Sequence, residues 1–311
     1  MGRAGFVRRL LAVQFAPCAL FVAGVVALVR ARSFHGRSDW HGVVPERPEE
    51  VLGLVAGIVL GAALLGLLLR PFQVRAVRVL EGYWDRWPLT APLAGILVRM
   101  QRRRRRVLRA RVDATPRGDS GRRVQADAYR RLAAWPPPEA LLPTALGNAL
   151  RAGELSAGER YGLTTLSSWP RIYLQVSDRM AAVLSSTRDA LDSAVNLCWS
   201  FLALTGAGAT AMYDEPSHWW LCGAGLVLVA VAYKGAVTAA QAYAGLMHAA
   251  YDLHRFDLLE ALHYPLPTRE DEEDVFAGIS ALFAGAERPD IPYSHQVERD
   301  GDARDGDGEP L

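Results

Sequence analysis

The sequence predicts an all-α integral membrane protein with four transmembrane helices and a helical cytoplasmic region. Two observations carry this. Four segments each hold close to the roughly 20 apolar residues that a helix needs to cross a bilayer. The charged residues fall between them in blocks, although half of the 311 residues are hydrophobic and only 22% are charged.

Residues 1–9 form a short basic start, with Arg3, Arg8 and Arg9. The first span is placed at 10–29, "LLAVQFAPCALFVAGVVALV". A cleaved signal peptide is the rival reading, but the apolar run is too long and no small-x-small site precedes Arg30. Pro17, and an apolar run that follows Cys18, argue against a lipoprotein site. A short external loop covers 30–50. The second span, 51–69, is "VLGLVAGIVLGAALLGLLL". In it Gly53, Gly57 and Gly61 recur on one helix face, a spacing that lets helix backbones approach closely. This points to a helix pair, or to a homo-oligomer through the second span.

Residues 70–194 form a helical basic cytoplasmic region, 195–212 the third span, 213–218 a short acidic external loop and 219–238 the fourth span. Residues 239–288 read as cytoplasmic helices, and 289–311 as an acidic, apolar-poor tail expected to be disordered. Between Arg70 and Asp189 there are 22 arginines and 10 acids, so this stretch is near +12. Positive segments stay on the cytoplasmic side, which predicts both termini inside. From His248 onward 16 acids face 5 arginines, near −11, on the same predicted side.

Within the basic region, "PFQVRAVRVLEGYWDRW" (71–87) reads as an amphipathic helix resting on the membrane surface. A second helix follows Pro88 and carries the run "QRRRRRVLRAR", with Arg102, Arg103, Arg104, Arg105, Arg106, Arg109 and Arg111. These residues are the candidate lipid- or partner-binding surface. A nucleic-acid reader would interleave aromatic or polar side chains for stacking and base readout. The run offers only Gln101, so no nucleic acid is expected. All but one of the 35 basic residues are arginine, which fits the codon bias of a GC-rich bacterial genome. "TPRGDSGR" (115–122) reads as a turn-rich break. Its "GDSG" lacks the framework of a serine protease. Thr144 is placed as a helix cap and Gly162 as a terminator. A long helix is expected from Trp169 into the third span, with a packing stripe at Met180, Leu184, Thr187, Leu191, Ala194 and Cys198. Thr268 is placed as the cap of a last helix.

His248, Asp252, His254 and Asp257 are the weak candidates for catalysis. On a helix His248 and Asp252 share one face and His254 and Asp257 another, so two ligand types per face do not close a metal site. No cofactor or metal is expected. The three cysteines, Cys18, Cys198 and Cys222, sit in apolar runs and form no C-x-x-C pair. No span holds an acidic residue, and Lys234, near a span end, can reach the headgroups.

"LEGYW" (80–84), "PTALGNALR" with "RYGL" (143–163), "WPR" (169–171) and "YDLHRFDLLEAL" with "PLP" (251–267) resemble a family of uncharacterised multi-pass membrane proteins of actinobacteria. The resemblance implies a bacterial inner-membrane protein with a helical cytoplasmic region, and it carries over no activity, substrate or catalytic residue. The functional expectation is a non-enzymatic anchor, scaffold or regulator. Its cytoplasmic module would bind anionic membrane lipids or a cytosolic protein, and its acidic tail would mask the arginine run. A small transporter or channel is the alternative, and an enzyme at the membrane face, using the His248–Asp257 cluster, is the second.

Overall fold

The computed structural model describes residues 11–34, 36–84 and 87–286. The N-terminal residues 1–9 and the acidic tail of 289–311 lie outside them. The described residues are predominantly helical, without a strand, and four helices are long and apolar enough to cross a membrane. The chain is a multi-pass membrane protein.

In order the helices are α1 (Ala16–Arg30), α2 (Pro48–Leu69), α3 (Gln73–Glu81), α4 (Ala91–Asp113), α5 (Gly118–Ala133) and α6 (Ala145–Glu154). They continue as α7 (Thr165–Gln175), α8 (Asp178–Ala211), α9 (Trp219–Ala261) and α10 (Glu272–Phe283). A π-helical turn, Leu11–Phe15, precedes α1. The chain divides into two compact units. One comprises residues 1–156 and 178–248, the other 157–177 and 249–311.

The first unit holds the bundle. Helix α2 turns Ala62 and Gly66 inward and leaves Leu52, Leu60, Leu67 and Leu68 exposed, the surface expected of a helix facing lipid tails. Along α8 the stripe buries Leu184, Leu191 and Cys198, so it packs inside this chain. At one end of the bundle the loops 31–47 and 212–218 meet. The Glu215 carboxylate accepts the Ser38 backbone N–H and pairs with His218 Nδ1 at 2.7 Å. At the other end α3, α6, α8 and α9 share a core of Val77, Leu146, Leu150, Leu191, Val195, Ala236, Val237 and Ala240.

That core depends on how α6 begins. Thr144 caps it as expected, accepting the Gly147 N–H at 3.0 Å while its hydroxyl donates to the Glu81 carbonyl at 2.8 Å. The Leu146 N–H finds the Tyr233 hydroxyl of α9 at 3.2 Å. Two of the N–H groups that a helix start leaves unpaired are thereby satisfied. Asn148 closes the preceding turn through both its amide atoms, to Leu142 N and Leu142 O. At Gly147 a Cβ would stand 2.0 Å from the Glu81 carbonyl oxygen, so only glycine fits.

Four sequence expectations are corrected. The amphipathic helix of 71–87 is nine residues long, because Gly82 takes φ +94° and ends it. Its apolar stripe is divided: Val77 is 3% exposed in the core, while Val74 remains exposed. The helix from Trp169 into the third span is broken at Val176, whose extended backbone separates α7 from α8. "GDSG" is the first turn of α5 rather than part of a break. Thr268 does not cap the last helix. Asp271 occupies that position, and Thr268 donates to its carboxylate at 2.6 Å.

The second unit packs α7 and α10 against the end of α9 around Leu163, Ile172, Tyr251, Leu258, Leu259, Phe276 and Ile279, all buried. The Tyr251 hydroxyl contacts Ser168 Oγ at 2.8 Å and donates to the Thr165 carbonyl at 3.2 Å. Gly162, at φ +82°, lets Glu273 approach: a Cβ there would lie 2.4 Å from its carbonyl.

Two glycine substitutions test the docking. Gly147→Ala is expected to destabilise the protein by about 1–3 kcal/mol, the range for forcing atoms into a packed interior. Gly95→Ala, in α4 with nothing within 4 Å of the added carbon, is expected to stabilise by up to about 1 kcal/mol. Thermal unfolding of the detergent-solubilised full chain reads both.

Candidate functional site

The arginine run lies on α4, which pairs with α5 as an antiparallel helical hairpin of residues 91–133. Gln125 Nε2 donates to the Val112 and Ala114 carbonyls at 2.7 and 3.1 Å and fastens the hairpin turn. Arg102, Arg103, Arg104, Arg106, Arg109 and Arg111 are exposed, and Arg105 is half-buried. Residues 91–133 carry 13 arginines against Asp113, Asp119 and Asp127, a net +10. Those acids are spent on near neighbours: Arg109–Asp113 at 3.2 Å, Arg131–Asp127 at 2.8 Å, and Arg122–Asp119. Such exposed pairs add little stability. Gln101 turns inward and donates to the Pro143 carbonyl at 3.1 Å, tying the run to the chain just before α6. On α4, Leu93, Ile96, Met100 and Val107 are exposed at helical spacing, so the basic surface has an apolar companion.

Beside the last turn of α6 lies a polar cluster that the sequence did not single out. Tyr83 receives the Arg151 guanidinium at 3.5 Å. Burial pushes the Tyr83 phenol up, Glu154 and Glu81 add to the rise, and Arg151 opposes it. Burial likewise raises the Glu154 carboxyl, against the pull of Arg151, Arg188 and Arg78. Residues from α3, α6 and α8 thus gather a mixed set of charges under the core. The signal was present in "LEGYW" and "ALRAGE", but their convergence needs the tertiary fold.

The four His and Asp candidates do not come together. His248 Nε2 lies 3.0 Å from Ser156 Oγ in the first unit. In the second unit Asp252 accepts the Tyr161 hydroxyl at 2.6 Å and pairs with Arg160 at 3.1 Å. His254 and Asp257 contact each other at 2.7 Å. Arg255 lies between the Tyr161 and Phe256 rings, 4.3 Å from each, and bonds Glu272 at 2.7 Å. Among the described residues no three His, Cys, Asp or Glu side chains are placed to hold a metal ion. Of these contacts, Arg255 to Glu272 ties α9 to α10, whereas His254 and Asp257 pair within α9.

Of the glycine series, Gly61 meets Val22 of α1, where a Cβ would lie at 3.3 Å, whereas Gly53 and Gly57 have nothing within 4 Å. The inner face of α2 is the one bearing Ala62 and Gly66, to one side of those two glycines.

The raised Glu154 carboxyl has a pH consequence. A carboxylate raised on folding penalises the charged native state. Its stabilising contribution is therefore complete below its unfolded value and is lost as pH rises through the folded one. Glu154→Gln is expected to raise the thermal midpoint at pH 7.5, with the gain vanishing towards pH 4. Unfolding scans across that range, monitored by tryptophan fluorescence, give the comparison.

No family model, curated protein or solved structure matches the chain, so the resemblance to actinobacterial membrane proteins finds no support there.

Proposed function

We propose that this chain is a non-enzymatic anchor or scaffold of a bacterial cytoplasmic membrane, with both termini on the cytoplasmic side. On this reading its basic hairpin engages anionic lipid headgroups or an acidic cytosolic protein. The observation that carries the reading is the exposed hairpin itself, +10 over residues 91–133, presented on a helix pair. Each arginine close to an anionic surface contributes about 1 kcal/mol, and neighbouring apolar side chains add burial. The sidedness rests on the arginine excess of the region between the second and third spans. Against an enzyme, His248 and Asp252 of α9 are engaged by Ser156 and Tyr161, and His254 and Asp257 by each other. The acidic tail supplies a counterweight that would mask the hairpin from lipid.

The test uses the full chain in neutral-lipid nanodiscs, presented with vesicles of increasing anionic content. Replacing Arg102 to Arg106 by glutamine is expected to weaken binding at least about tenfold at low salt, with the difference shrinking as salt screens the charges. Truncation of residues 289–311 should strengthen binding under the same conditions. Equal vesicle binding by the unmodified and glutamine-substituted chains would sink the lipid reading.

A further inference from the structure

A cavity of about 400 Å³ lies in the first unit where α2 gives way to α3. Its wall combines Cys18 and Phe21 of α1, Gly66 of α2, Phe72 and Gln73 after it, and Trp199 and Ala203 of α8. The lining is mostly apolar, but it contains an unusual polar pattern. Asn196 Nδ2 donates to the Val13 carbonyl of the π-helical turn at 2.8 Å, and Trp199 Nε1 donates to the Ala76 carbonyl at 3.2 Å. Those two donors are satisfied by backbone. Gln73 Nε2 is not: it is shielded from solvent and has no hydrogen-bond partner. An amide donor kept from water without an acceptor costs on the order of 1–3 kcal/mol. Arg75 is exposed and outside the lining, but its guanidinium stands over the ring of the lining residue Phe72, 5.8 Å from its centroid.

We infer that this cavity is a binding site for one anionic phospholipid. An apolar wall takes an acyl tail: at ~30 Å³ per water-sized group, the volume holds roughly a dozen methylenes. Gln73 Nε2 donates to an ester carbonyl at the top of the tail. Arg75 faces the phosphate and favours a net-negative headgroup. Ala203 is exposed, so one side of the site opens towards the surrounding lipid. Tail, carbonyl and phosphate follow one another in a phospholipid as apolar wall, amide donor and guanidinium do here. The site is separate from the basic hairpin and independent of the function proposed above.

The probe is phosphatidylglycerol with dibrominated acyl chains, added to the delipidated full chain in detergent. Bromine quenches indole fluorescence at short range, and the difference between the unmodified chain and Trp199→Phe isolates Trp199. Saturable quenching of Trp199 is expected. Ala203→Phe, which obstructs the open side of the cavity, should reduce it. Gln73→Leu should weaken binding about threefold to tenfold, the loss of one buried hydrogen bond. The diether analogue, which lacks the carbonyl, should bind the unmodified chain as weakly as the diester binds Gln73→Leu. Arg75→Gln should remove the preference over brominated phosphatidylcholine. Equal affinity for diester and diether lipids in the unmodified chain overturns the proposal and requires no variant to fold. Trp199 quenching that persists unchanged in Ala203→Phe also overturns it, because the lipid would then lie on the outer surface of the bundle.

Discussion

One short contact organises the bundle end: the first turn of α6 seated on the last carbonyl of α3. Thr144 bonds Glu81 and the α6 backbone together, and Gly147 lets the two segments close to a distance no side chain permits. Through Tyr233, Ala236 and Val237 the same turn meets α9, and through Leu191 and Val195 it meets α8. Segments adjoining three spans are thereby joined by one ten-residue helix. Helix starts carry unpaired N–H groups, and burying one is tolerable only when each finds an acceptor. Here the acceptors come from Thr144 and from another span, so the local cap and the tertiary packing are one interaction.

The second unit repeats the logic at smaller scale. In "RYGL", Arg160 and Tyr161 reach Asp252, Gly162 permits a close approach, and Leu163 is buried. In "YDLHRFDLL", Tyr251, Leu258 and Leu259 fill the core while Arg255 is clasped between two rings and Glu272. Residue types that suggest chemistry in a linear reading are consumed in holding three helices together. An arginine with both faces covered and its charge paired is a structural element, since freeing either partner would leave a desolvated charge.

The hairpin contrasts with both. Its helices are fastened at the turn by Gln125 and at the flank by Gln101, and all its arginines but Arg105 are exposed, with few acids near them. Where the bundle end and the second unit use charge internally, the hairpin displays it. The apolar residues beside the run, Met100 and Val107 among them, make the surface amphipathic rather than merely basic.

The sequence by itself determined the helical class, the four spans and the basic character of the region between the second and third. These depend on composition over about twenty residues, and no tertiary contact can hide them. The Thr144 cap was legible too, because a cap acts on its own helix. Tertiary structure alone decided the rest. Gly82 ends α3 by its left-handed backbone, and Val77 turns from a membrane-facing expectation into core. His248 and Asp252, four residues apart on one helix, belong to different units and different partners. The cavity beside Gln73 and the cluster around Tyr83 and Glu154 are assembled from helices far apart in the chain. Helical periodicity reports which face a residue occupies. It does not report which other helix that face will meet, and the chemistry of a site depends on the second.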